Sequence, residues 1–288
     1  MPGANPLGSL LNDPALLASH WGRSHLVLKG AVDPSAFITS AEIDQRLEAS
    51  LLKWPYFTVL HHGEQPPVHT YTSTRDVIGQ KRSGFPDAEK IRRLMAEGAS
   101  LKLNQLTDWH RPTRDIRRAL EELLPAAVAS YLFWTPPEQT AMRPHRDAAH
   151  VIAIQLEGRK EWHLYARPEQ VVSTAGLDVD SSSPTHTLVL EPGDVLYLPH
   201  GWPHDARARD GSSLHLTFTL TEPTPEDLLE ALMKRFSAER TDLVHRHHAR
   251  TLEAKSEEVR AALLEELSGL DTEKWVSLAL ATMRETVG

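Results

Sequence analysis

At 288 residues the chain is long enough for one substantial core plus an appended piece. It has no cysteine, which excludes a disulfide framework and any thiolate metal site and points by default to a cytoplasmic setting. A net charge of −8 argues against a broad nucleic-acid surface, and no apolar run approaches the roughly 18 residues that a membrane span needs. Residues 1–25 lack a basic stretch followed by a clean apolar one, so no signal peptide is read.

In chain order, residues 13–22 and 40–53 read as short helices, the second with Ser40 as N-cap and Ile43, Leu47 and Leu51 on one face. Short apolar segments at 25–28, 56–60 and 68–72 then alternate with turn-rich loops. Residues 87–97 read as a helix striped by Ile91, Leu94 and Met95, and 112–124 as a clearer amphipathic helix ended by Pro125. From 126 to 220 the pattern turns to strands, at 128–134, 151–156, 161–165, 187–190, 195–198 and 214–220. The turn signals Glu157-Gly158, Pro192-Gly193-Asp194 and Asp210-Gly211 bound them. Many short strands with helices gathered before and after predict an α+β chain whose mainly β core is a double-stranded β-helix, the jelly roll of the cupins. After Pro223 and Pro225 the pattern is helical over 225–238, about 240–266 and 272–285. Residues 1–221 therefore read as the β-core domain with N-terminal helices, and 222–288 as a helical segment that packs on the barrel or on a second subunit. The basic clusters Arg111, Arg114, Arg117, Arg118 and Lys81, Arg82, Lys90, Arg92, Arg93 read as solvated faces.

The chemistry concentrates around Pro144-His145-Arg146-Asp147. In extended chain, residues two apart point to the same side, so His145 and Asp147 can share one metal ion. A third ligand is offered by His204, which leaves the apolar strand that follows the Pro192-Gly193-Asp194 turn. Two imidazoles and one carboxylate fill one face of an octahedral ion and leave the other open, the arrangement of non-haem Fe(II) oxygenases. In Arg159-Lys160-Glu161-Trp162-His163-Leu164-Tyr165, period-two alternation puts Lys160 on the apolar face with Trp162 and Leu164. A lysine there either meets an anion, such as a dicarboxylate, or snorkels to the barrel rim. His215 alternates with Leu214, Leu216 and Phe218 and reads equally as structural or as a substrate contact. His61, His62, His69, His245, His247 and His248 read as surface residues, and Trp202 as a residue shaping the entrance.

From about 101 to 220 the chain resembles the Jumonji-C oxygenases, in particular the branch that hydroxylates ribosomal proteins. The matching text includes Thr135-Pro136-Pro137, Pro144-His145-Arg146-Asp147, Gln155-Leu156-Glu157-Gly158-Arg159-Lys160-Glu161-Trp162, Leu190-Glu191-Pro192-Gly193-Asp194-Val195-Leu196-Tyr197-Leu198-Pro199, His204 and Ser213-Leu214-His215-Leu216-Thr217. The resemblance implies that His145, Asp147 and His204 hold Fe(II), and that Lys160 binds the distal carboxylate of the cosubstrate 2-oxoglutarate. It further implies that Thr217 and Thr219 line the pocket, and that O2 is consumed as 2-oxoglutarate becomes succinate. Tyr131 and Phe133 stand where that family commonly has an asparagine and a tyrosine near the cosubstrate. Arg146 replaces a tyrosine, and Ala148 and Ala149 replace acidic residues that often follow. No winged-helix domain is read; the helical segment is expected to form a homodimer. The implied substrate is a side chain in a protein or peptide. The alternatives are a free amino acid or small biosynthetic metabolite, or a cupin that holds metal without catalysis.

Overall fold

The computed structural model describes residues 19–49, 51–168, 171–244 and 251–287. They group into two compact units, one of residues up to 123 together with 128–220, the other of 124–127 together with 221 onward.

The first unit is an antiparallel β core, the expected double-stranded β-helix class. Its strands are β1 (Leu26–Leu28), β2 (Phe57–Leu60), β3 (Thr72–Val77), β4 (Gln80–Pro86), β5 (Ser100–Asn104), β6 (Ala127–Thr135), β7 (His150–Leu164), β8 (His186–Leu190), β9 (Val195–Leu198) and β10 (His204–Thr221). One sheet runs β1-β9-β7-β10-β6-β5-β2, with β8 also paired to β7, while β3 and β4 form a separate hairpin. The core gathers Val151, Ala153, Trp162, Leu164, Leu190, Leu196 and Leu198 on β7, β8 and β9. The near-continuous apolar run of β7 from Val151 to Ile154 is buried on both faces, as expected of a central strand covered on each side.

Two of the expected strands are in fact one, and another is longer than expected. Residues 151–156 and 161–164 are continuous in β7, and 214–220 is the second half of β10, which already begins at His204. The expected turns Glu157-Gly158 and Asp210-Gly211 meet across the ladder as facing bulges, where register shifts between Arg209↔Arg159 and Leu214↔Glu157. Gly158 (φ 64°), Asp210 (φ 58°) and Gly211 (φ 155°) absorb the bend. A Cβ on Gly158 would stand 2.0 Å from the Ser212 carbonyl oxygen, which is backbone and cannot swing aside. Gly158→Ala is therefore expected to destabilise the unit by about 2 kcal/mol or more, read as a lower urea midpoint.

The N-terminal helix runs Ser40–Ala49, and its cap is Thr39 rather than Ser40. Thr39 and Glu42 form a reciprocal capping box, Thr39 N–H donating to the Glu42 carboxylate at 2.9 Å and Glu42 N–H to the Thr39 hydroxyl at 3.2 Å. The Ser40 hydroxyl is spent elsewhere, on Glu157 at 2.6 Å. Residues 68–70 are a 3-10 turn, not part of a strand. The unanticipated hairpin β3–β4 is built from mostly exposed polar residues and carries no apolar alternation to announce it. Helices Ala88–Ala96 and Arg111–Leu123 lie as expected, and several basic residues on them are paired. Arg92 binds Asp44 and Glu48 at 2.7 and 2.5 Å, Lys90 binds Asp87 at 3.0 Å, and Arg117 faces Glu121 at 3.7 Å.

The second unit holds helices Pro225–Glu239, Thr241–Val244, Leu252–Ser268 and Thr272–Val287. Thr224 caps the first in a capping box with Asp227, and Pro225 follows where a missing N–H costs nothing. The Trp275 indole donates to the Leu228 carbonyl at 2.8 Å, and Arg235 meets Glu266 at 2.9 Å. His245, His247 and His248, and residues 13–18 of the expected first helix, lie outside the described residues. Among the described residues, no helix is long and apolar enough to cross a membrane.

Candidate metal centre and its cavity

His145 and Asp147 sit in the loop between β6 and β7, and His204 opens β10. The 59-residue gap between the histidines closes through an isolated antiparallel bridge. His145 N–H donates to the His204 carbonyl at 3.0 Å, and His204 N–H returns the bond at 2.8 Å. The 199–203 loop is tied to the third residue as well, Gly201 N–H donating to the Asp147 carbonyl at 3.1 Å. Backbone pairing thus fixes all three Cα positions before any ion is bound.

Among the described residues, ligand atoms of His145, Asp147 and His204 all lie within 4.8 Å of one another. The Nε2 atoms of His145 and His204 stand 3.7 and 3.8 Å from the two carboxylate oxygens of Asp147, too far for hydrogen bonds and apt for a shared ion. Each ring's Nδ1 lies 2.8 Å from a backbone carbonyl, that of Arg143 for His145 and that of Trp202 for His204. A carbonyl only accepts, so both Nδ1 atoms carry the proton and both Nε2 lone pairs face Asp147. Burial, then the neighbouring His145, holds the His204 imidazole below its usual range, which keeps it neutral and ligand-ready.

The donors open on a cavity of about 290 Å³ in the barrel, lined also by Lys160, Lys102, Tyr131, Phe133, Trp162, His215, Thr217 and Thr219. All four residues expected to contact a cosubstrate are therefore there. Lys160 is 1% exposed and does not snorkel. Its ammonium donates to the Thr135 hydroxyl at 2.7 Å. Burial pushes it down to about 7. Tyr131 is raised by burial, then by Asp147, and its oxygen is paired with Thr219. His215 is 5% exposed, stacks on Phe133 at 5.1 Å and meets the Trp162 edge at 5.6 Å. Burial first, then Lys160 and His204, holds it well below the usual imidazole range. Its Nδ1 has no hydrogen-bond partner among the described residues.

Several expected neighbours turn away. Arg146 is 8% exposed and points from the centre to Asp178 at 2.9 Å and to the Thr174 carbonyl, its backbone paired with Gly176. It clamps a loop instead of facing substrate. Arg143 binds Glu64 at 2.6 Å. The Trp202 ring packs against His25 and beneath Arg167, and it is not part of the cavity wall. His61, His62 and His69 are exposed.

Sequence reasoning missed Lys102. In Ser100-Leu101-Lys102-Leu103-Asn104 the alternation separates Lys102 from the leucines, but Leu101 and Leu103 are themselves fully buried on the other face. Both sides of β5 are covered, so apolar residues alone cannot show which side is the cavity.

The fold is an antiparallel jelly roll with a three-donor cluster opening on its cavity. Residues 104–228 match the JmjC domain family. It is 27% identical over 228 residues to the bifunctional lysine-specific demethylase and histidyl-hydroxylase NO66 of Drosophila persimilis, covering 75% of this chain and 31% of that protein. It is 36% identical over 149 residues to human ribosomal oxygenase 1, covering 49% and 23%. The chain thus spans less than a third of the length of either curated relative. Among solved structures, Escherichia coli ycfD superposes with a TM-score of 0.61 at 21% identity, covering 91% of this chain and 68% of that one. A structure of the same E. coli ribosomal oxygenase in complex with cobalt and 2-oxoglutarate gives 0.58 at 21% identity, covering 88% and 66%.

Proposed function

We propose that this chain is an Fe(II)- and 2-oxoglutarate-dependent oxygenase that hydroxylates a side chain in a protein or peptide. The observation that carries the proposal is one cavity holding both a His-Asp-His donor set and a buried ammonium with no carboxylate partner. A site for structural zinc would close around the ion with a fourth protein ligand, whereas the described residues offer three donors on one side of open space. An unpaired buried ammonium is costly in a site with no anionic ligand. The ribosomal oxygenase bound to cobalt and 2-oxoglutarate supports the same reading by analogy of fold.

In this reading His145, Asp147 and His204 hold the metal through Nε2, a carboxylate oxygen and Nε2. Lys160 receives the distal carboxylate of 2-oxoglutarate, with the Thr135 hydroxyl orienting its ammonium. Tyr131, Thr217 and Thr219 line the same space. Fe(II), 2-oxoglutarate and O2 supply the oxidising chemistry when bound. The protein's own part is to fix the donor geometry, aim the Nε2 of both imidazoles at one point, anchor the anion and exclude water with Trp162 and Phe133.

The test is succinate formation from 2-oxoglutarate by the Fe(II)-loaded chain in a host lysate, followed by mass spectrometry for one added oxygen. Succinate with an oxidised protein supports the proposal, succinate with an oxidised small metabolite moves it to the alternative substrate class, and no succinate overturns it. A homodimer through the helical unit belongs to the same proposal, because Leu229, Met233, Leu264 and Leu267 leave it with an exposed apolar surface. Light scattering is expected to give twice the chain mass at micromolar concentration. A cytoplasmic setting accompanies it, supported by the cysteine-free sequence.

A further inference from the structure

We propose that Lys102 forms a second anion-binding subsite in the cavity, one that selects a substrate carrying a carboxylate near its reacting carbon and turns away arginine and lysine side chains. The word substrate rests on the oxygenase reading; the subsite itself rests on geometry. Lys102 lies opposite Phe133 in the β5–β6 ladder. Its ammonium stands over the Tyr131 ring at 4.4 Å and the Phe133 ring at 5.5 Å from their centroids. Among the described residues no oxygen accepts from it and no carboxylate pairs with it. Aromatic faces attract a cation but satisfy none of its three N–H donors. A half-buried ammonium with all its donors unspent is a group that an incoming anion would satisfy.

Lys102 and Lys160 meet β6 at different places, Lys102 over the rings of Tyr131 and Phe133 and Lys160 on the Thr135 hydroxyl. Lys160 is lowered by burial alone, whereas Lys102 is lowered by burial and drawn back by Asp147. Lys102 therefore belongs to the part of the cavity that looks onto Asp147. The charged groups on the cavity wall are these two lysines and Asp147, apart from histidine. Ala148 and Ala149 line it where acidic residues would be needed to welcome a guanidinium. Asp147 is the one carboxylate there and belongs to the metal donor set, so a cationic side chain entering here meets a like charge at Lys102 and loses affinity.

The experiment is a titration of the Zn(II)-loaded 288-residue chain, with and without 2-oxoglutarate, by ligand-observed NMR. Three probes are used: N-acetyl-aspartic acid α-amide, which offers a side-chain carboxylate; N-acetylalanine, which offers a free α-carboxylate; and N-acetylargininamide. At least one carboxylate probe is expected to bind, and which one does tells whether the anion is a side chain or a chain terminus. Lys102→Met is expected to weaken it at least about tenfold, Lys102→Arg to retain most of it, and Lys102→Glu to bind the arginine probe instead. Binding of the arginine probe to the unaltered chain as tightly as the carboxylates, or no carboxylate binding at all, would overturn the proposal. So would an unchanged affinity in Lys102→Met. Because selectivity of the unaltered chain is itself decisive, a variant that fails to fold leaves the test intact. Titrating 2-oxoglutarate separately keeps the two readings apart. Lost 2-oxoglutarate binding with intact Lys102-dependent carboxylate binding would topple the oxygenase reading alone, and the reverse would topple the subsite alone.

Discussion

Lys160→Met is expected to raise the melting temperature of the ligand-free chain at pH 6 while weakening its affinity for 2-oxoglutarate. The ammonium is fully buried and has one neutral partner, the Thr135 hydroxyl. Methionine matches its length, removes the charge and leaves Thr135 to lose a single bond. Replacing buried ionic groups with apolar ones of similar volume is neutral or stabilising by about 1–4 kcal/mol, and each kcal/mol is worth about 2–4 °C in a unit of this size. The gain depends on pH in a fixed direction. Lys160 has a folded value of about 7, against about 10.4 in an unfolded chain. Between these values the unfolded state holds more protons, so the stability of the unaltered ligand-free chain rises with pH over that window. Below about pH 7 the cost of the buried charge is present in full, and the variant's advantage is greatest there. It should shrink toward pH 10.

The same shift predicts the linkage of ligand to proton. A carboxylate docking on Lys160 restores the ammonium, so 2-oxoglutarate binding at pH 8.5 should take up about one proton, and apparent affinity should fall about tenfold per pH unit above 7. Calorimetry in buffers of different ionisation enthalpy measures the uptake. Loss of the partner costs roughly 2–5 kcal/mol in such pairs, so Lys160→Met should weaken 2-oxoglutarate at least about tenfold. Equal affinity in the variant, or binding without proton uptake, would place the anchor elsewhere.

Asp147→Ala is expected to abolish the thermal stabilisation that Mn(II) or Fe(II) gives the unaltered chain. A metal at one hundred times its dissociation constant contributes about 2.7 kcal/mol to the folded state. Removing the carboxylate takes the one anionic donor of three, so affinity should fall by more than the roughly 10–100-fold typical of disturbing an outer partner. The metal-free variant should melt close to the unaltered chain, because the Asp147 side chain is 33% exposed and no strand register depends on it. A large loss of stability without metal would show that Asp147 acts through packing. A retained metal response would remove it from the donor set.

The proposed site residues were legible because spacing in an extended chain is rigid. The two-residue spacing of His145 and Asp147, and the phase that Lys160 shares with Trp162, put side chains on one side, and these four residues line one cavity. The cap of the first helix is decided from far along the chain. Ser40 and Thr39 are both competent caps, and only the placement of Glu157 from a distant strand decides that Ser40 is already engaged. The turn signals at Glu157-Gly158 and Asp210-Gly211 misled in a more general way. Their glycine and aspartate do adopt left-handed or otherwise unusual backbone, as any turn would require. Whether such a pair reverses the chain or merely bulges it depends on what lies opposite, and here each lies opposite the other.

The sequence by itself determined the strand-rich middle, the helical tail, the local pairing of His145 with Asp147 and the apolar phase of Lys160, all set by neighbours within a few residues. Only the tertiary structure decided that His204 is hydrogen-bonded to His145 across 59 residues, that Arg146 turns to Asp178, and that Lys102 faces the same cavity as Lys160. The physical reason is that these outcomes depend on which strand lies beside which. Sheet order is fixed by burial summed over the whole barrel, and period-two alternation is blind to the identity of the neighbour.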